Sequence, residues 1–156
     1  MIMKPLFILV ISFGITLIIT KFATGIFDYP LSGRIAMAVM LLFTAFGHFA
    51  FPKGMASMLP GVIPFKVPVI YFTGIIEIAA AIGLLIFALQ YLASWMLIGF
   101  FIVILPANIN AAIKKVDYQK GTNTGNGVRY LWFRVPLQLF FIAWVYYFGI
   151  YLSSYQ

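Results

Sequence analysis

Cysteine is absent from the chain, and histidine occurs once. Without cysteine there is no disulfide, no thiolate nucleophile, no iron–sulfur ligation and no dithiol relay. A single histidine excludes bis-histidine haem ligation and a three-histidine zinc site within one chain. Charge is scarce as well. Only 8% of the 156 residues are charged, whereas ordinary soluble domains carry about 25%. Acid is scarcest, with three Asp and Glu against ten Lys and Arg. So few charges cannot cover a soluble domain of this size, and 64% of the residues are hydrophobic. The composition therefore points to a membrane protein. In a soluble protein a net charge of +7 would suggest nucleic acid. Here the basic residues flank apolar runs, so lipid headgroups and topology account for them, and no nucleic-acid partner is expected.

A transmembrane helix needs roughly 20 mainly apolar residues. Five segments meet that length: Pro5–Ala23, Ser32–Phe51, Pro68–Gln90, Leu92–Ile113 and Tyr130–Tyr151. They fill most of the chain and leave room for a single domain over residues 1–156. The first run resembles a signal peptide in having Lys4 ahead of it and small residues at Ala23 and Gly25. Its apolar stretch is long for a signal core, so a retained span is the expectation. Five spans place Lys4, Lys53, Lys66, Lys114, Lys115, Lys120 and Arg129 on one side, and Lys21 and Arg34 on the other. The positive-inside rule then makes the richer side cytoplasmic, with the N-terminus inside and the C-terminus outside.

The connections differ in character. Almost nothing separates spans three and four, which predicts a tight antiparallel hairpin. Pro52–Pro68 holds four prolines among apolar residues. It is too broken to span and is expected to lie as an interfacial or re-entrant cover over the cytoplasmic end. Lys114–Arg129 is the polar loop, rich in Gly and Asn.

Ionisable and amide groups inside a span are costly when unpaired, so they face the protein interior and often mark function. The chain offers His48, Glu77, Asn108, Arg134 and Gln138. At 1.5 Å per residue, His48, Asn108 and Arg134 fall about 5–6 Å from the cytoplasmic ends of their helices, and Glu77 roughly 13 Å. Gln138 follows Arg134 at i+4 and shares its face. Thr73, Gly74, Ala80 and Ala81 surround Glu77, and Thr44 and Ala45 accompany His48. Small neighbours permit close helix approach. Five polar groups on four helices thus converge on one half of the bilayer.

Each group also has a plainer reading. Glu77 and Arg134 form either a structural ion pair or part of a polar pocket. Asn108 and Gln138 either bind a ligand head or hold helices together by hydrogen bonds. His48 is either a proton-exchanging group or a solvated helix end. Arg34 reads as a snorkelling interface anchor. The stripe Ser12, Thr16 and Thr20 reads as side chains satisfying their own helix. Trp95, Trp132, Tyr130 and Tyr151 fall near span ends, as in an aromatic belt.

Arg34 opens a span that ends FGHFAFP. MLPGVIP, YFTGIIEIAAAIGLL, LPANIN and WFRVPLQ follow in that order. This ordered set resembles the DoxX family of small membrane proteins, in its DoxX-like branch, over about Ser32–Phe148. The resemblance implies an all-α, four-helix transmembrane bundle as the core, residues 32–151. The span over residues 5–23 is an addition that could cover one face. The family's polar positions match His48, Glu77, Asn108, Arg134 and Gln138. Relatives are associated with membrane redox systems and, distantly, with receptor assembly, so the resemblance does not settle an activity. The translocator protein family has a similar length and five spans, but its tryptophan-rich ligand pattern is not evident here.

The leading expectation is a multi-pass protein of the cytoplasmic membrane with an inner-leaflet pocket for an amphipathic molecule, a quinone or a lipid. No intrinsic cofactor or metal is expected, and catalysis by the isolated chain is doubtful. A redox role therefore requires a membrane or peripheral partner protein. Self-association into a homo-oligomer stays open. The competing expectation is a non-catalytic assembly factor whose polar cluster is structural. Proton-coupled transport is weaker, because no second membrane acid continues a relay beyond Glu77.

Overall fold

A computed structural model describes residues 3–117, 119–120, 122–125, 127 and 129–155. The expectations that rest on the side chains of Arg129 and Tyr130 lie outside the described residues. The chain is built from helices, with no strand among the described residues. They are α1 (Lys4–Thr24), α2 (Tyr29–Ala50), α3 (Pro52–Ala56), α4 (Lys66–Leu85), α5 (Gln90–Ile113) and α6 (Arg129–Val145). A π-helical turn, Tyr146–Tyr151, and a 3-10 turn, Leu152–Tyr155, prolong α6. Among the described residues, five helices are long and apolar enough to cross a membrane: α1, α2, α4, α5 and the continuous Leu131–Ser154 stretch.

Local chemistry sets the helix ends. Pro5 sits in the first turn of α1, where its missing N–H costs nothing. Gly25 closes that helix at φ 78°, a left-handed conformation that glycine adopts without a Cβ clash, and its N–H returns to the Lys21 carbonyl. The Asp28 carboxylate caps α2 by accepting the Leu31 N–H at 2.9 Å. The sequence places the α4–α5 junction near Gln90, but α4 ends at Leu85 and Ile86–Leu89 makes the turn. The uninterrupted apolar residues there carry no Gly or Pro to mark the break. Gln90 instead opens α5, buried, with its carbonyl accepting the Ser94 hydroxyl at 2.7 Å.

Helix α2 is the most enclosed. It packs against α1 on one side and α4 on another, α4 packs against α5, and α5 against α6. Ala36, Met37, Met40 and Leu41 of α2 meet Leu84, Leu97, Leu137 and Val145 in the core. At the Arg34 end of α2 the approach is very close. A Cβ on Gly33 would overlap the Phe148 side chain, and one on Gly149 would overlap Ser94. The Trp144 indole N–H bonds the Gly33 carbonyl at 3.0 Å and ties α6 to α2 there. By contrast α1 leaves Phe7, Ile11, Ile15, Ile18 and Phe22 exposed. Such a surface suits lipid rather than water.

Arg34 departs from the sequence expectation. It does not snorkel outward but is 7% exposed, and its Nη1 donates to the Ser153 hydroxyl at 2.6 Å. The partner comes from the end of the continuous Leu131–Ser154 helix, where the Ser153 hydroxyl also donates to the Phe148 carbonyl at 3.0 Å. The Thr16 and Thr20 hydroxyls bond carbonyls of their own helix, at Ser12 and Leu17.

Candidate functional site

Glycine sets the geometry of the site. Gly74 of α4 faces His48 of α2, and a Cβ there would stand 2.9 Å from the His48 Cβ. Its bare backbone lets the helices close until His48 reaches Glu77, one turn further along α4. The His48 Nε2 lies 3.4 Å from Glu77 Oε1, and Thr44 donates to Oε2 at 2.9 Å. The other face of the imidazole is also held. Nδ1 lies 3.0 Å from the Ile70 carbonyl and 2.9 Å from the Thr73 hydroxyl. His48 therefore stands directly against Glu77, a contact the sequence does not announce. Two threonines noted in the sequence only as small neighbours, Thr44 and Thr73, become the orienting groups.

A second polar contact joins α5 to α6. Asn108 donates to Gln138 Oε1 at 3.0 Å, and Gln138 donates onward to the Phe101 carbonyl. Both amides are buried. Each helix carries a proline near this contact, Pro106 in α5 and Pro136 in α6. Proline removes a backbone hydrogen bond and loosens the local turn.

His48, Glu77, Asn108, Arg134 and Gln138 all line one cavity of about 370 Å³. Its apolar wall includes Met40, Phe43, Phe100, Phe101, Ile104 and Phe141. The proline-rich connection lies over it and contributes Met55, Met58 and Leu59. That cover is fastened by Asn110, whose amide donates to the Met58 carbonyl at 2.6 Å, and by Lys66, whose ammonium reaches the Leu59 carbonyl at 3.3 Å. Lys4 and Pro5, from the start of α1, line it too. In the sequence Lys4 reads only as a charge flanking the first span. Among the described residues, no three His, Asp or Glu side chains gather as metal ligands would.

The arrangement is a mainly apolar cavity with a few convergent polar groups, of the volume that small-molecule sites occupy. The protein is thus helical, with five membrane-length helices among the described residues and a partly open, mainly apolar cavity. It belongs to a family described as a domain of unknown function, DUF8561, whose profile matches residues 37–149. No curated protein and no solved structure matches the chain.

Proposed function

We propose that the chain is a multi-pass protein of the cytoplasmic membrane, related to the DoxX-like proteins, whose cavity holds an amphipathic small molecule. In this reading α2, α4, α5 and α6 form a four-helix bundle with α1 laid against α2. The N-terminus is cytoplasmic, and the cavity opens toward the inner leaflet. The ligand is a quinone or a lipid, and the protein serves as an accessory subunit of a membrane redox system. The observation that carries the reading is the convergence of polar side chains from four helices on one largely apolar cavity of about 370 Å³. A polar network placed only to hold helices together needs no cavity beside it.

The test is purification in mild detergent, followed by extraction and mass spectrometry of co-purifying small molecules. A quinone or lipid retained by the native chain, and depleted in Arg134→Ala and Glu77→Gln, supports the reading. No retained molecule, together with unchanged binding in both variants, overturns it.

One observation favours a second reading, an assembly factor whose polar cluster is structural. His48 is met by Glu77 and Asn108 by Gln138, so much of the polar cluster satisfies itself. That reading expects Glu77→Gln combined with Arg134→Gln to fold and still recruit its partner. It also expects recruitment to fail when outward-facing residues of α1 are changed.

A further inference from the structure

Two buried amides fix each other's orientation. The Phe101 carbonyl can only accept, so Gln138 turns its NH2 group toward it. Gln138 Oε1 then faces Asn108, which must present its own NH2 group, at 3.0 Å. Asn108 Oδ1 is the free end of this chain of donors. Asn108 is 4% exposed, and its Oδ1 has no hydrogen-bond partner among the described residues. That oxygen is not sealed off, as Ser32 Oγ and Arg34 Nε are, but fronts the cavity that Asn108 lines. The same wall carries Phe101, Ile104, Leu137 and Phe141. An unpaired carbonyl oxygen in such surroundings is costly, and a donor on the occupant would satisfy it.

Resting on the cavity reading above, we infer that the occupant presents a hydroxyl head to Asn108, whose Oδ1 accepts its hydrogen. The head is an alcohol or a phenol, as on an acylglycerol or a quinol, and not the ketone of an oxidised quinone. A hydroxyl both donates and accepts. Each amide nitrogen keeps a second hydrogen, since Asn108 commits one to Gln138 and Gln138 one to Phe101. A hydroxyl can therefore meet Oδ1 and an amide N–H together. A ketone or ether oxygen only accepts, and leaves Oδ1 unpaired. An ammonium head also donates, but at membrane depth it needs a counter-charge. Glu77, the one acid among the described lining residues, is already faced by His48 on Oε1 and by Thr44 on Oε2. The apolar part of the occupant lies along the aromatic wall.

The experiment uses the full chain in phosphatidylcholine nanodiscs. The probes are two matched pairs, para-decylphenol against para-decylanisole and dodecanol against its methyl ether, together with decylubiquinone. Binding is titrated by native mass spectrometry and expressed per mole fraction in the bilayer, so that unequal partitioning cancels. One neutral hydrogen bond corresponds to about tenfold in affinity, so each hydroxyl probe should bind more tightly than its ether by about that factor. The tighter hydroxyl probe identifies the head as phenol or alcohol, and decylubiquinone should bind no better than the ethers. Asn108→Leu keeps the shape and loses Oδ1, so the hydroxyl preference should vanish while ether binding stays. The matched pairs on the native chain decide the question even if that variant fails to fold. Equal binding of hydroxyl and ether probes, or tighter binding of decylubiquinone, overturns the hydroxyl head and leaves the cavity reading standing. An undiminished preference in a folded Asn108→Leu overturns the assignment to Asn108. No binding of any probe overturns both readings.

Discussion

His48 of α2 meets Glu77 of α4 at 3.4 Å because Gly74, on the intervening turn, has no side chain to hold the helices apart. A methyl group at Gly74 would stand 2.9 Å from the His48 Cβ and 3.1 Å from the Phe49 ring. Overpacking of this kind costs about 1–3 kcal/mol. Gly74→Ala should therefore lower the thermal unfolding midpoint in detergent, whereas Gly14→Ala, with nothing within 4 Å of its added methyl, should not. Equal midpoints for the two variants would show that α2 and α4 are not in close contact at this level.

The same pair should behave as a coupled unit. The His48 and Glu77 side chains are 15% and 7% exposed, so removing one partner strands the other in a poorly solvated place. Breaking a buried pair costs about 3–5 kcal/mol, while replacing both members can be nearly neutral. In a double-mutant cycle of His48→Leu and Glu77→Leu, each single variant should be less stable than the double. Additive losses, measured by unfolding in a mixed-micelle titration, would mean that the contact has no energetic weight.

Much of this site could be read from the sequence, because an ionisable or amide residue within an apolar run stands out by its cost. Position along each helix, at a fixed rise per residue, was enough to bring His48, Glu77, Asn108, Arg134 and Gln138 to one level. Partner choice was not legible. That His48 faces Glu77 depends on how closely two helices approach, and Gly74 decides that only together with the facing Phe49 and His48. Helix order was readable from five apolar runs. The α4–α5 break at Ile86 was not, since nothing in its composition differs from the helices around it. The burial of Arg34 was also hidden, because its partner Ser153 lies 119 residues away at the other end of the chain.

Arg34 consequently has a stability role that a surface anchor would lack. Its Nη1 bonds Ser153 at 2.6 Å, and its side chain is largely enclosed. Deleting a charged hydrogen-bond partner in a buried site costs about 1.5–3 kcal/mol. Arg34→Gln should lower the unfolding midpoint and increase protease cleavage after the π-helical turn. Ser153→Ala should have a smaller effect in the same direction. Lysine lacks the planar fork, so Arg34→Lys should not fully restore stability. A fully stable Arg34→Gln would return the residue to the role of interface anchor.

Orientation can be tested cleanly because the native chain contains no cysteine, so any introduced thiol is the single site of labelling. Asn123 in the polar connection and Ile26 between α1 and α2 are both exposed, and an odd number of membrane-length helices separates them. They should therefore lie on opposite faces of the membrane. The bias of Lys and Arg toward the Asn123 side predicts that this side is cytoplasmic. In intact spheroplasts, a membrane-impermeant maleimide should label Ile26→Cys at once and Asn123→Cys only after permeabilisation. The reverse pattern would invert the protein and place the cavity in the outer leaflet. Labelling of both sites without permeabilisation would break the five-span arrangement, since it requires the three helices between them to cross the membrane an even number of times.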